Sequence, residues 1–592
     1  MRVVAVSMLV GLILALGVAG CGLGGQPSGE RVTTSMAIAG RMAADTPAAH
    51  PRDWALASEV HRFYERRHNA PAWCDGRAPK QAAYDLVTVL LKVDRDGIDS
   101  TAFTPSALGL EMVALKRGAG SSAAPESLAR FDIRCTRTAL RYVHQLHDGR
   151  IPAAVLDSDW VALRDTLDAV DLVLRAAKSQ KVAEVLDEAA PRGTAYRALR
   201  EARQRVLEIE AAGGWPELPE GPVLGRGSQD GRVGLLRQRL AIEGLLKGGA
   251  SEDGFDAPVE KALRSFQSRH GLPPSGKTDE PTRTALNRTP AYRARQLAMN
   301  MERRHWVPEK FPEPCIEVNL PAFHLDVYDS NRVVLDMRVV IGARRNPTPV
   351  FSDTITYIEF NPTWRLPKRI IVEEMLPALK KDPEHFSKQN MKVLYTKNRK
   401  YEEVRADSID WAEVESDSFP FLVRQDAGPD NPLGRMKFMC PNEYDVYLHD
   451  TPSTSLFASE ARARSHGCVR VQKPLLLAER LLTDQPQAVA DSLDSIFVSG
   501  ALRRIALKRR MPVHLMYWTA WPDVRGVIQY RDDLYGIDER IATAIASGHV
   551  RNFVLNPELV WGAKKAEAVA KAKDSKAAAR NTAARSERGS PH

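Results

Sequence analysis

Apolar residues recur three and four positions apart from Asp53 to about Pro216, as in Leu86, Leu90 and Leu91 and again in Leu140, Val143 and Leu146. That spacing gathers them on one face of a helix and predicts a helical domain over residues 53–225. Two further amphipathic helices follow, marked by Val233, Leu236 and Leu240 and by Val259, Ala262, Leu263 and Phe266. They predict a small helical unit within 226–290, with Gly271 ending the second helix. From Cys315 the period falls to two: Ile316, Val318 and Leu320 alternate with polar residues, and Phe323, Leu325 and Val327 follow. The run Asp329-Ser330-Asn331-Arg332 reads as a turn into Val333, Leu335, Met337 and Val339, and Ile355, Tyr357 and Phe360 mark another strand. A β-rich domain is therefore expected over 291–500. Inside it, the Lys/Glu-rich stretch 365–427 is too long for a simple β connection and is expected to be an inserted helical lid. Residues 501–548, with Tyr517, Trp518, Trp521 and Tyr535, read as a C-terminal segment packed by its aromatics on the β-rich and helical domains. The fold class predicted is multidomain α+β.

Composition adds limits. The chain has 592 residues and 44% hydrophobic content, too long for one core and too apolar for a disordered chain. The formal charge of +9 would suit a nucleic-acid partner if it were spread over a domain. It is not: Ala563 to His592 hold eight Lys/Arg against three Asp/Glu, more than half of the excess. Residues 549–592 read as a basic disordered tail, and no nucleic-acid partner is expected.

The start of the chain carries a targeting pattern, with Arg2, an apolar run from Val3 to Leu16 and small residues up to Cys21. The run is shorter than the roughly 20 residues that a spanning helix needs. Val18-Ala19-Gly20-Cys21 resembles a bacterial lipobox, which implies a signal peptide over 1–20, a diacylglycerol on Cys21 and membrane attachment by lipid only. With Gly22 following, it implies a periplasmic protein held at the outer membrane. Residues 21–52, rich in Gly, Ser, Ala and Thr, then read as a flexible tether. Five cysteines remain: Cys74, Cys135, Cys315, Cys440 and Cys468. An odd number in an oxidising compartment leaves one thiol unpaired, and the other pairings, Cys74 with Cys135 among them, stay open.

The chemistry concentrates in Val446-Tyr447-Leu448-His449-Asp450 and, fourteen residues on, Ser465-His466-Gly467-Cys468-Val469-Arg470-Val471. Both runs read as strands, with Tyr447 and His449 on one face and Cys468 and Arg470 on one face. If the strands are neighbours, imidazole and thiol meet. A free thiol near pKa 8.5 is only a few per cent ionised at pH 7 and needs a base. Gly467 lets the backbone approach a carbonyl, so the amides around Gly467 and Cys468 can receive an oxyanion. A zinc site of His449, His466 and Cys468 lacks a fourth ligand at metal spacing, and neither a metal nor a cofactor is expected.

A histidine nineteen residues before the cysteine of Ser-His-Gly-Cys-x-Arg resembles the YkuD-type L,D-transpeptidases. Asn431-Pro432-Leu433-Gly434, Lys437-Phe438, Pro441-Asn442 and Leu448-His449-Asp450-Thr451-Pro452 are similar to the large, YcbB-like subtype. So are Asn69-Ala70-Pro71-Ala72-Trp73 and, further on, Arg141-Tyr142 with His147-Asp148-Gly149-Arg150, which resemble its scaffold domain. Ser265 to Leu272 with Gly276, Thr282 and Leu286-Asn287 resembles a peptidoglycan-binding module, although Pro273-Pro274-Ser275-Gly276 departs from its usual acidic-Gly turn. Lys368-Arg369-Ile370 departs from the subtype's lid, where a smaller residue is usual before the isoleucine.

The resemblance implies Cys468 as nucleophile and His449 as base, with Asp450, Ser465, His466 and Gly467 supporting them. It implies Arg470, Trp364 and Tyr447 at the substrate. The implied reaction releases D-alanine from a tetrapeptide stem of peptidoglycan through a cysteine thioester and forms a 3→3 cross-link. Acylation of the same cysteine by carbapenems is implied as well. Hydrolysis by an L,D-carboxypeptidase, attachment of a protein to the wall, and a non-catalytic lipoprotein that binds peptidoglycan are the alternatives.

Overall fold

The structure is a computed structural model that describes residues 33–44, 51–117, 125–151, 167–247, 254–382, 384–397, 400–411, 413–414, 419–485 and 493–547. The fold is multidomain α+β, helical in its N-terminal region and β-rich thereafter. It divides into two compact units. One holds the described residues up to Glu309 with Ala520–Tyr530 and those from Asp538; the other holds Lys310–Thr519 with Arg531–Ile537. The proposed signal peptide, Cys21 and the basic tail lie outside the described residues.

In the helical unit the longest helix, Pro125–Asp148, buries Leu128, Phe131, Cys135, Leu140, Val143 and Leu146 on one side. Its Asp132 is wholly buried and accepts hydrogen bonds from the backbone N–H groups of Ala72, Trp73 and Cys74 and from the Tyr64 hydroxyl. The aromatics Tyr64, Trp73 and Tyr142 are core residues. A second small core gathers Val233, Leu236, Leu240, Val259, Leu263 and Phe266 from the helices Arg232–Ile242 and Ala257–Arg269.

The second unit is built on strands β1 (Cys315–Asn319), β2 (His324–Asp329), β3 (Arg332–Gly342), β4 (Phe351–Phe360), β5 (Trp364–Arg365), β6 (Met391–Lys397), β7 (Lys400–Val404), β8 (Phe421–Gln425), β9 (Met436–Met439), β10 (Leu448–His449), β11 (Ala463–Ser465), β12 (Val469–Val471) and β13 (Arg503–Met516). Their main sheet runs β11-β3-β12-β10-β9-β4-β13-β1-β2, and a β2–β3 pairing closes the strands from β3 to β2 into a ring, with β11 added beside β3. Ser330 and Asn331 turn from β2 to β3 with φ of 54° and 60°, as a hairpin of right-twisted strands requires. Inside lie Ile316, Val318, Leu325, Val339, Phe438, Leu448, Val469 and Val471.

Four expectations change. The insertion between β4 and β9 is not simply a helical lid: beside short helical turns it carries the antiparallel sheet β5-β8-β6-β7. Strands such as Met391-Lys392-Val393-Leu394-Tyr395 alternate or cluster β-favouring residues within a charged composition that masks the period. Their buried side chains form a core with Phe386, Trp411 and Phe419. The stretch read as a tether holds a helix, Thr34–Ala44, with Ala37 and Ile38 buried in the helical core. Residues 290–304 form a helix whose Leu297 and Met301 pack with Tyr196 and Leu199, so this part of 291–500 belongs to the helical unit. Finally, β13 is not an appended segment but sits between β4 and β1 in the ring. The appended part is the hairpin β14 (Ala520–Pro522) and β15 (Ile528–Tyr530), and a helix Ile537–Ala546.

Candidate active site

Strands β10 and β12 lie side by side in parallel, with Leu448 opposite Val469 and His449 opposite Arg470. The Val469 N–H donates to the Tyr447 carbonyl at 3.1 Å. Leu448, Val469 and Val471 turn into the barrel core, so alternation sends Tyr447, His449, Cys468 and Arg470 to the other face. His449 and Cys468 thus share that face, Cys468 standing two residues before Arg470, the register partner of His449.

His449 is buried. Its Nδ1 lies 2.5 Å from the Asp450 carbonyl, which can only accept, so Nδ1 carries the proton and Nε2 presents a lone pair. Burial, with Arg470 beside it and Lys437 nearby, pushes its pKa down to about 3, against the pull of the Asp450 carbonyl. The imidazole is therefore a neutral base. The Asp450 carboxylate has a different task, accepting from the N–H groups of Arg435 (2.8 Å) and Thr451 (2.7 Å).

Burial pushes the Cys468 thiol up, opposed by hydrogen bonds from Tyr447 and by the Lys437 ammonium. The sulfur also lies 3.8 Å from the Asp445 carbonyl. Each group thus rests in its neutral form, as thiol and as imidazole. All five described cysteines are free thiols.

The loop before Cys468 is tied at several points. The Ser465 hydroxyl donates to the Cys468 carbonyl at 2.6 Å and accepts from the Gly467 N–H at 3.2 Å. Gly467 has a φ of 120°, a conformation that side chains rarely adopt. Its carbonyl accepts from the Thr348 hydroxyl at 2.7 Å, and the same hydroxyl accepts from the Gly342 N–H. Tyr535 completes the brace, its hydroxyl donating to the Gly342 carbonyl at 2.6 Å and accepting from the Thr348 N–H. Gly342 has no room for a side chain, since a Cβ there would strike the Asn346 carbonyl.

The other expected residues are placed differently. The His466 ring meets Glu374 of the insertion at 2.6 Å, and Arg345 stands 3.6 Å from the same carboxylate. Trp364 pairs with Gln425 and packs on the insertion's own core. Arg470 lies beside His449 in register, and its buried Nε has no hydrogen-bond partner among the described residues. Among the described residues no group of three or more His, Cys, Asp or Glu is placed to hold a metal ion.

Sequence reading missed Lys437, Glu359, Thr348 and the bracing task of Tyr535. Lys437 faces His449 across β9 and β10, lies 4.0 Å from the Tyr447 ring centroid and 3.7 Å from Glu359. The run Lys437-Phe438 marks the first of these in the sequence, and nothing local marks the others.

Comparison with known proteins matches three segments of the chain to family models. The family model described as the L,D-transpeptidase catalytic domain (YkuD) matches residues 313–489. The chain carries a YkuD-type L,D-transpeptidase domain. A scaffold-domain model matches residues 58–202, and the model described as "Putative peptidoglycan binding domain" matches 229–286. A Haemophilus influenzae protein, described as "Putative L,D-transpeptidase", is 35% identical over 249 residues, 42% of this chain and 49% of that protein. The match thus spans about half the length of that relative. A crystal structure of the L,D-transpeptidase from Xylanimonas cellulosilytica is 15% identical, covering 51% of this chain and all of that one, with a TM-score of 0.16. Among the described residues no helix is long and apolar enough to cross a membrane.

Proposed function

We propose that this chain is a cysteine acyltransferase of the bacterial cell wall that forms 3→3 cross-links between peptidoglycan stems. The observation that carries the reading is the parallel pairing of β10 with β12, which puts a neutral imidazole base and a half-buried thiol on one face of the sheet.

In this reading the Cys468 sulfur attacks the carbonyl of the third residue in a tetrapeptide stem while His449 Nε2 takes the thiol proton. A carbon–sulfur bond forms. As the tetrahedral intermediate collapses, the bond to the terminal D-alanine breaks and the imidazolium returns its proton to the leaving amine. The amine of a diamino acid in a neighbouring stem then attacks the thioester, which frees the thiol. The Cys468 N–H makes no hydrogen bond to any described residue, whereas the Gly467 N–H is taken by Ser465. Cys468 therefore supplies the oxyanion donor, and the loss of one such donor typically raises a barrier by about 3 kcal/mol. Arg470, without an ion-pair partner among the described residues, receives a substrate carboxylate, and Tyr447 lines the thiol. Trp364 acts at the substrate through the insertion. Water as acceptor would make the same site an L,D-carboxypeptidase, and a protein lysine would make it an attachment enzyme.

The peptidoglycan-binding domain supports a wall or periplasmic location, and the Val18 to Cys21 run supports a lipid anchor on Cys21 at the outer membrane. Incubating the purified protein with disaccharide-tetrapeptide and resolving the products by mass tests the reaction. A cross-linked dimer with loss of D-alanine is expected, and trimming alone would replace cross-linking by hydrolysis. Intact mass after exposure to a carbapenem tests the nucleophile: one adduct is expected, absent in Cys468→Ala. An unmodified Cys468 would remove the assignment.

A further inference from the structure

The helical unit holds a cleft of about 680 Å3, within the size range of peptide and cofactor sites. Arg141, Arg150, Arg203 and Arg295 line it. Asp99 and Glu210 also border it, and Glu210 acts on Arg203 electrostatically without a direct ion pair. Arg295 is paired with Glu539 (2.5 Å) and Arg150 with Glu302 (3.0 Å). Even so, the Nη2 of Arg150 is buried without a hydrogen-bond partner.

Arg203 and Arg141 meet only neutral acceptors. Arg203 donates from Nε to the Asp94 carbonyl (2.6 Å) and from Nη1 to the Ala294 carbonyl (2.5 Å). Arg141 donates to the Ala102 carbonyl at 3.2 Å and lies over the Phe103 ring. Neither makes an ion pair with a described carboxylate. Guanidinium groups that line a concave site and make no direct ion pair keep N–H donors that an anion can take. Burial holds Arg203 down to about 10, with Arg150 adding to the effect and Asp94, Asp96 and Glu210 opposing it. Between the arginines the walls are apolar, with Leu207, Ala298 and Met299. Spread charges separated by apolar surface fit an extended ligand with several carboxylates better than a compact inorganic anion.

We propose that this cleft is a second peptide site, which binds a short peptide bearing two or more carboxylates, the peptidoglycan stem being that peptide. The identity of the peptide rests on the proposed wall substrate; the cleft itself uses none of the catalytic residues. Arg141 and Arg150 belong to the scaffold-like runs that the catalytic mechanism leaves unused. Occupancy would let the helical unit hold stem peptides independently of Cys468.

Calorimetric titration of full-length Cys468→Ala with purified stem tetrapeptide tests this. Two binding events are expected, one of them weakened about tenfold or more by adding Arg141→Gln and Arg203→Gln, with the other unchanged. Because Arg203 ties two backbone carbonyls, Arg141→Gln with Arg295→Gln serves as a second variant whose fold depends less on the exchanged groups; several-fold weakening of the same event is expected. A single event insensitive to both variants overturns the proposal. Equal displacement of the peptide by millimolar inorganic phosphate overturns the peptide assignment. Carbapenem acylation of the wild type separates the two readings. Acylation without a cleft event sinks this inference alone, and a cleft event without acylation supports it while sinking the catalytic reading.

Discussion

The hydroxyl of Thr348 donates to the carbonyl of Gly467 at 2.7 Å, and that contact aims the amide of the next residue. The Gly467 carbonyl and the Cys468 N–H share one peptide plane and point in opposite directions. Holding the oxygen therefore holds the hydrogen. Thr348→Val should slow single-turnover acylation of Cys468 on the order of tenfold, about one hydrogen bond's net worth, with little change in substrate affinity and recovery in Thr348→Ser. Tyr535→Phe, one step further out, should have a smaller effect in the same direction. Equal rates in wild type and Thr348→Val would show that the brace has no part in catalysis.

The neutral resting pair makes a prediction about pH. His449 titrates near 3 and the Cys468 thiol above its ordinary value, so between those limits the attacking complex has the same proton count as the resting enzyme. The acylation rate constant should stay flat from about pH 5 to about pH 8. A break near the ordinary histidine value of about 6.5 would mean that the imidazole is solvated as in water, and would contradict the buried geometry.

Glu374 joins the insertion to the loop before Cys468 through His466. The pair is partly exposed and worth about 1 kcal/mol at most. Glu374→Gln should therefore speed amide hydrogen exchange over residues 371–379 by a few-fold, leaving exchange in β10 and β12 unchanged. Unaltered exchange over 371–379 would show that this contact does not hold the insertion.

His144 tests the helical unit. Hydrogen bonds to Asp148 and Glu59 raise its pKa to about 9, against about 6.5 unfolded. A raised folded value means stability fully present below about pH 6.5 and lost as pH rises through about 9. Since the side chain is 39% exposed, screening keeps the contribution to about 1 kcal/mol. His144→Gln should lower the melting temperature by about 2–4 °C near pH 6 and by almost nothing near pH 10. An equal loss at both would assign the effect to packing.

Much of this molecule is legible locally. The period of three to four residues over Leu86 to Leu90 and Val259 to Phe266 sends those side chains to a core whatever surrounds them. The period of two through Val446 to His449 and Cys468 to Val471 sets which residues share a face. Less was legible where composition hid the period, as in the Lys/Glu-rich insertion with its four strands, or where small residues read as a tether fold because Ile38 finds a core.

The sequence by itself determined which side chains could do chemistry and which faces they take, because backbone alternation and turn conformation depend only on near neighbours. The tertiary structure alone decided which strands lie beside one another. The ring closes through β2 with β3 and takes β13 between β4 and β1; the pairing of β9 with β10 brings Lys437 to His449, and long-range contacts bring Thr348 to Gly467 and Tyr535 to Gly342. Such partners are separated by up to 193 residues, as Gly342 and Tyr535 are. Nothing in the local pattern of one encodes the other, because their meeting is set by the burial and register of whole strands.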